Sequence, residues 1–425
     1  MKKLIIGVLF FSAVAWSQVD DASDESKTEL IGGASYQGGQ VFSGTYSKPN
    51  DINNYWYQKI FANVGFRKRV NDWLTVTAAL EAGMRVSFKQ GNTFPESQKF
   101  SPDIYIDEAR GDLTFLESEQ VNLNLTLGYF RFQYNEDVRN LGNNMFKSYC
   151  YPTAIVQPEF DFPYTRLCGL NFKSTFLDGL IYNDFLATVH VNFYPTNDLS
   201  LADIVGVNWR GIKLGVGLQL DRILPMNDMI TTPKNVAMKV DPDNSSDTTY
   251  YTYGGTKFMT CLNLDLKKVI FGDDFPSIFG ENDAKLFFEL NVLGLKNYYY
   301  FYENMNERIP IAFGFLLPTF KILDVFSLEF EYFPSRYPNS IDRPMNANNP
   351  YPDIQEGLWD PEDFKNDDWK WSVYAKKSFT NFAIIGQIAR DHLQLWSTRQ
   401  VDMIYRDNLV ESDDYYYQLK LQFNF

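Results

Sequence analysis

Apolar and polar residues alternate along much of the chain. At the C-terminus Tyr415, Tyr417, Leu419, Leu421, Phe423 and Phe425 are separated by Tyr416, Gln418, Lys420, Gln422 and Asn424, so one side is wholly apolar and the other mostly polar. Successive Cβ atoms of a strand point to opposite faces, so this period of two predicts a strand with one apolar face. The same pattern runs through Val121, Leu123, Leu125, Leu127 and Tyr129, through Ile212, Leu214, Val216, Leu218 and Leu220, and through Leu74, Val76, Ala78, Leu80, Ala82, Met84 and Val86. These runs reach the roughly 9–11 residues that cross a bilayer at a tilt, beyond the roughly 5–6 usual in soluble sheets. In hydrocarbon every backbone N–H and C=O must find a partner, which for strands requires a closed barrel. The expected fold is therefore all-β, a transmembrane antiparallel up-and-down β-barrel.

Sixteen strands are expected, at 29–46, 55–69, 73–88, 103–116, 120–134, 163–176, 180–194, 199–210, 212–224, 250–267, 284–299, 307–320, 325–336, 368–379, 381–396 and 411–425. The first is the weakest, because its run from Gly32-Gly33 to Gly38-Gly39 has no clean apolar face; 14 or 18 strands stay open. Tight links at Val70 to Asp72, Glu117 to Glu119, Asp178-Gly179, Arg210-Gly211 and Lys321 to Asp324 alternate with long ones at 89–102, 135–162, 225–249 and 337–367. Short periplasmic turns and long external loops are the habit of outer-membrane barrels. The link 268–283 is long for its side and is expected to hold a short helix.

The N-terminus bears on compartment. Lys2 and Lys3 precede the apolar stretch Leu4 to Trp16, and Ala15-Trp16-Ser17 places small residues where a signal peptidase reads, so residues 1–17 are expected to be a cleaved signal peptide and 18–28 a short periplasmic segment ahead of a barrel over 29–425. Elsewhere no apolar run approaches the roughly 18–20 residues of a spanning helix. Net charge is −14, and removing two lysines leaves 37 basic against 53 acidic residues. That balance argues against nucleic acid, whose phosphates call for clustered Lys and Arg. Cys150, Cys168 and Cys261 are too few for a paired-cysteine zinc site or a disulfide framework; one bridge, Cys150 to Cys168, stays open, with Cys261 expected half-buried.

With these features in place, the sequence resembles the outer-membrane β-barrel proteins, specifically sixteen-stranded porins. The likeness rests on the signal peptide, the alternating strands and the final strand Tyr417, Leu419, Leu421, Phe423 and Phe425. It implies a Gram-negative outer-membrane location, an insertion signal in those five residues read by the barrel-assembly machinery, contact with outer-membrane lipid, and a homotrimer as in similar porins. It also implies a constriction loop after the fifth strand, which here is 135–162, with Glu136, Asp137, Arg139, Glu159 and Asp161 among its charged residues. That segment does not reproduce the acidic pattern of such loops residue by residue.

Apolar faces turned to lipid leave the opposite faces to line a lumen, and the alternation places Arg67, Arg69, Glu81, Arg85, Glu108, Arg110, Asp112, Lys173, His190, Lys213, Asp221, Glu329, Glu331, Lys370, Lys376 and Gln387 there. A sixteen-stranded barrel is wide enough for an aqueous channel, and charged groups at its narrowest point select solutes. The expected function is passive diffusion of small hydrophilic solutes, with Glu136, Asp137, Glu159 and Asp161 set against Arg67, Arg85 and Arg110. The alternative is a surface-display or adhesion barrel with a closed lumen, its loops recognising carbohydrate through Tyr351, Trp359 and the run Tyr298 to Tyr302 among acidic residues. Catalysis is not expected: His190 and His392 read as lining residues, and no GxSxG, HExxH, P-loop or dinucleotide fingerprint occurs. No cofactor or metal is expected; Asp241, Asp243, Ser245 and Asp247 have the spacing of a calcium loop without its Gly and Glu.

Overall fold

Sixteen antiparallel strands close on themselves. They are β1 (Thr28–Ser43), β2 (Tyr55–Asn71), β3 (Leu74–Lys89), β4 (Asp103–Glu117), β5 (Val121–Phe132), β6 (Thr165–Phe176), β7 (Ile181–Val189), β8 (Leu199–Trp209), β9 (Ile212–Leu224), β10 (Gly255–Asp265), β11 (Lys285–Val292), β12 (Ile311–Leu316), β13 (Val325–Tyr332), β14 (Trp369–Ser378), β15 (Phe382–Arg390) and β16 (Tyr415–Asn424). The computed structural model describes residues 28–47, 50–89, 103–150, 153–155, 163–191, 198–224, 238–240, 248–250, 254–295, 302–335, 339, 366–394 and 407–424. Each strand pairs with its neighbours in sequence, and β1 seals against β16 from Gly33↔Asn424 to Val41↔Tyr416.

All sixteen expected strands are present. Several are shorter than their alternation, most clearly β10, β11, β12 and β15. The Gly-rich first strand spans 16 residues, and its lack of an apolar face has a packing cause. A Cβ on Gly39 would collide with the ring of Tyr57 on β2, so the bare backbone there makes room for an aromatic ring inside the wall.

Burial along the strands is inverted relative to a soluble protein. Leu80, Val205, Leu214, Val216, Leu218, Ile388 and Leu419 are exposed on the outside, while Asp221, Lys257, Glu289, Glu329, Glu331, Lys370 and Gln418 are buried within. An apolar exterior around a polar interior suits a sheet whose outer solvent is hydrocarbon. Short connections gather at one end of the barrel and long ones at the other. The long member of the short-turn end holds α1 (Leu266–Phe271), where the Asp265 carboxylate accepts from the Lys268 N–H and Gly272 closes the helix at φ 72°. Asp265 and Gly272 are the N-cap and C-terminal residue types that stop a helix at such a length.

One hairpin leaves the wall. The β4–β5 ladder stops at Ala109↔Tyr129 and the β6–β7 ladder at Cys168↔Val189, yet β5 and β6 stay paired to each other up to Thr165↔Phe132. Gly128 and Gly169 face each other at the departure point with φ of 117° and 150°. A Cβ on either would run into the backbone carbonyl of the adjoining wall strand, at Ala109 and Ala187. Only glycine occupies such a backbone without strain.

The three cysteines are free thiols, so the Cys150–Cys168 bridge is not formed; Cys261 is fully buried on the inner wall of β10 rather than half-buried.

Candidate functional site

Beyond the departing hairpin, residues 133–150 run across the lumen and pack on the far wall. Two wall glutamates take the backbone of this segment. Glu329 of β13 accepts the N–H of Arg139 at 2.7 Å through one oxygen, and those of Asn140 and Leu141 at 2.7 and 2.8 Å through the other. Glu289 of β11 accepts the N–H of Asn143 and Asn144, both at 2.9 Å, and the hydroxyl of Tyr134 at 2.5 Å. Side chains add to this: the Asn144 amide donates to Glu331 and the Asn140 amide to Asp391. Hydrogen bonds to ionised acceptors are roughly twice as strong as neutral ones. The segment is thus held by carboxylates that its own backbone amides satisfy.

Its apolar side chains dock on two patches. Phe130, Phe132 and Leu167 of the hairpin, with Met145 and Phe146, pack against Tyr182, Leu186, Ile204 and Met259 of β7, β8 and β10. Val138 packs against Phe287, Leu316, Val325, Tyr374 and Ile385 of β11 to β15.

The hairpin's other face is charged. Arg131 and Arg166 both reach Asp107 of β4, at 2.6 and 2.7 Å, and Arg166 also meets Glu81 of β3 at 3.0 Å. The Arg131 guanidinium lies over the ring of Tyr164, 4.6 Å from its centroid. Between this cluster and the wall of β14, β16 and β1 is a cavity of about 680 Å³ near the short-turn end, lined by Arg67, Glu81, Asp107, Arg131, Arg139 and Lys376 among others.

Among the described residues, the loop acids Glu136 and Asp137 do not pair with Arg67 or Arg110. Asp137 pairs with Lys285 of β11 at 3.1 Å and accepts from Asn263, while Glu136 is solvent-exposed, 3.8 Å from Lys213 of β9. The segment crosses toward β9–β13, so its acids meet the lysines of that side. Arg67 stands 3.5 Å from Glu29, and Arg110 lies between Asp112 and Glu108 of its own strand. Arg139 is on the cavity. Glu159, Asp161 and Phe425 fall outside the described residues, as do the side chain of Arg85 and the 241–247 acidic run. On β16, Leu419 and Phe423 are exposed outward, and the Tyr417 ring lies tilted against Phe42, 5.2 Å between centroids.

Strict alternation misses Asp107, Arg131 and Arg166. Arg131 follows the apolar series Val121 to Tyr129 at an outward position, where a cation would face hydrocarbon. A charge at an outward position is the signal that its strand has left the wall.

Toward the long-loop end lies a buried charge cluster. His392 stands between Asp407 and Glu331, 2.7 Å from its Nδ1 and 2.6 Å from its Nε2. Lys370 meets Asp407 at 3.4 Å, and Asn339 ties Asp407 to Ile155. His190 is different: its Nε2 contacts both Ser200 Oγ, at 2.7 Å, and Asp221, at 3.0 Å. A relay needs serine and carboxylate on opposite ring nitrogens, so this trio has no triad geometry.

Lys147 carries the least favourable charge of the lumen segment. Its ammonium is buried without a hydrogen-bond partner among the described residues. Burial lowers its pKa to about 8, opposed by Glu289, Glu329 and Glu331. The unfolded chain titrates near 10.4, so between about pH 8 and 10.4 it binds more protons than the folded one and the lysine's penalty fades as pH rises. Lys147→Met is expected to raise stability by about 1–3 kcal/mol at pH 7, a gain that shrinks above pH 8. Thermal unfolding in detergent across that range checks both parts.

No protein-family model matches the chain, and no curated protein matches it. Among solved structures, two mutants of Rhodopseudomonas blastica porin are similar at 8% and 6% identity and a TM-score of 0.41, each covering 94% of this chain and 100% of its own. A structure described under asymmetric conductivity of engineered proteins is similar at 8% identity and a TM-score of 0.40, with the same coverage. Likeness of this degree carries no argument about activity; the barrel is established by the chain's own strand pairing.

Proposed function

We propose that the protein is a porin-like channel for passive diffusion of small hydrophilic solutes across an outer membrane, with the long loops outside and the short turns in the periplasm. The observation that carries this reading is the charged cavity of about 680 Å³ left between the lumen segment and the wall of β14, β16 and β1. A barrel filled for structure alone has no need of a wet space with ionised groups on both sides. On this reading the segment narrows the bore, and Arg67, Glu81, Asp107, Arg131 and Arg139 border the path. Outer-membrane lipid covers the apolar exterior, and Tyr417, Leu419, Leu421, Phe423 and Phe425 serve as the signal for the barrel-assembly machinery. Residues 1–17 direct export.

A second reading, a display barrel with a closed lumen, draws support from the long-loop end. There Val41, Ile52, Tyr57, Ala389, Leu409 and Tyr416 form a buried apolar cluster over β1, β2, β15 and β16. Planar-bilayer recording separates the two. Unitary current steps from the refolded protein are the expected result, and a correctly folded but silent barrel would favour display.

A further inference from the structure

The charges around the cavity are not evenly satisfied. Every acidic group that lines it is already engaged: Asp107 by Arg131 and Arg166, Glu81 by Arg166, Glu108 by Arg131 at 3.5 Å, and Asp324 by the Ser378 N–H and Lys377. The cations on the opposite side are less so. The Lys376 ammonium has no hydrogen bond or ion pair among the described residues. The Arg139 guanidinium donates to two neutral oxygens, the Glu136 carbonyl at 3.1 Å and Asn282 Oδ1 at 3.2 Å, and its Nε is buried without a partner.

These two cations converge with a third, Lys420, which has interactions of its own. Lys376 of β14 and Lys420 of β16 are both register partners of Ile385 on β15, so they stand level on the inner wall, about 10 Å apart across two ladder spacings. Val138 of the lumen segment packs in one cluster with Ile385 and Tyr374, which places the next residue, Arg139, beside the same patch. The neutral side chains of Ser378, Gln422 and Asn424 complete this side of the cavity. Its volume lies within the range of small-molecule sites, about 300–1,000 Å³.

We propose that Lys376, Lys420 and Arg139 form a binding site for a small carboxylate-bearing anion. As the solute site of a channel it rests on the function proposed above, but the binding is measurable without conductance. A guanidinium that spends two of its N–H donors on neutral oxygens, beside two ammonium groups, can take a carboxylate through charge-assisted hydrogen bonds, with the neutral amides and hydroxyl taking the remaining oxygens. The chain is acidic as a whole, at −14, so a cationic site within it selects against the general field.

The test is calorimetric titration of citrate into the full-length barrel folded in detergent, beside the Lys376→Gln, Lys420→Gln double variant. Citrate is expected to bind, to weaken at least about tenfold in the double variant and to weaken with added salt, because exposed charge attraction is screened. Glucose is the uncharged control and is expected not to bind. Absence of citrate binding by the folded barrel overturns the proposal, as does unchanged affinity in a double variant that retains the native melting profile. Failure of the channel reading looks different: citrate binds while the bilayer stays silent. Unitary current without citrate binding keeps the channel and removes the anion site.

Discussion

Glu329→Ala is expected to release the lumen segment from β13 and to raise unitary conductance several-fold. The substitution strands the backbone N–H groups of Arg139, Asn140 and Leu141, all of which donate to that carboxylate. Each buried donor left without an acceptor costs about 1–3 kcal/mol, so docking should weaken by roughly 3–9 kcal/mol. Adding Glu289→Ala removes the acceptor for Asn143, Asn144 and Tyr134 as well. Glu329→Gln keeps one carbonyl oxygen in place and is expected to be much milder. Single-channel recording, paired with protease sensitivity across 133–150, measures the effect. Unchanged current and unchanged protection in the double alanine variant would rule out carboxylate anchoring.

His392→Leu is expected to destabilise the barrel by about 3–5 kcal/mol, because it leaves Glu331 and Asp407 buried without the cation between them. Burial alone would lower the imidazole pKa, but the two carboxylates outweigh it and hold it up at about 10. The unfolded histidine titrates near 6.5, so the stabilisation is complete below that pH and is lost as pH rises through about 10. Melting temperatures of wild type and variant should differ most between about pH 5 and 6.5, and converge by about pH 10–11. A constant difference over that range would show that the ring acts by packing and not by charge. Glu331 also accepts from Asn144, so loss of His392 should loosen the lumen segment too.

The barrel was legible because its physics is local. Alternation over Val121 to Tyr129 or Ile212 to Leu220 reports which face meets hydrocarbon, and strand length separates a membrane wall from a soluble sheet. Gly39 shows a limit: a glycine that admits the ring of Tyr57 reads as a weak strand, since the packing reason lies on another strand. The path of 133–150 lay further out of reach. Its anchors, Glu289 and Glu329, are about 150 and 190 positions away along the chain, and nothing in the spacing of Asn140 to Asn144 names them. Arg131 and Arg166 were hidden because period two assumes that a strand stays in the wall, and β5 and β6 do not; Asp107 was hidden because it is the extra residue of a bulge in β4. A lone cation at an outward position, Arg131, was the trace of that departure.

The seam between β1 and β16 sets an order of assembly. Tyr36 pairs with Leu421 and Gln37 with Lys420, partners from opposite ends of the chain. The first strand therefore emerges with one edge unsatisfied until the last is made, and open edges of this kind recruit other chains. The interior imposes a second constraint, since the 133–150 segment comes to rest on β11 and β13, which are made later. Its polar backbone must enter while the cylinder is still open or thread in afterwards from the rim. Zippering of the terminal strands and seating of the interior segment are thus coupled events, and a variant with a slackened segment should alter the rate at which the cylinder closes.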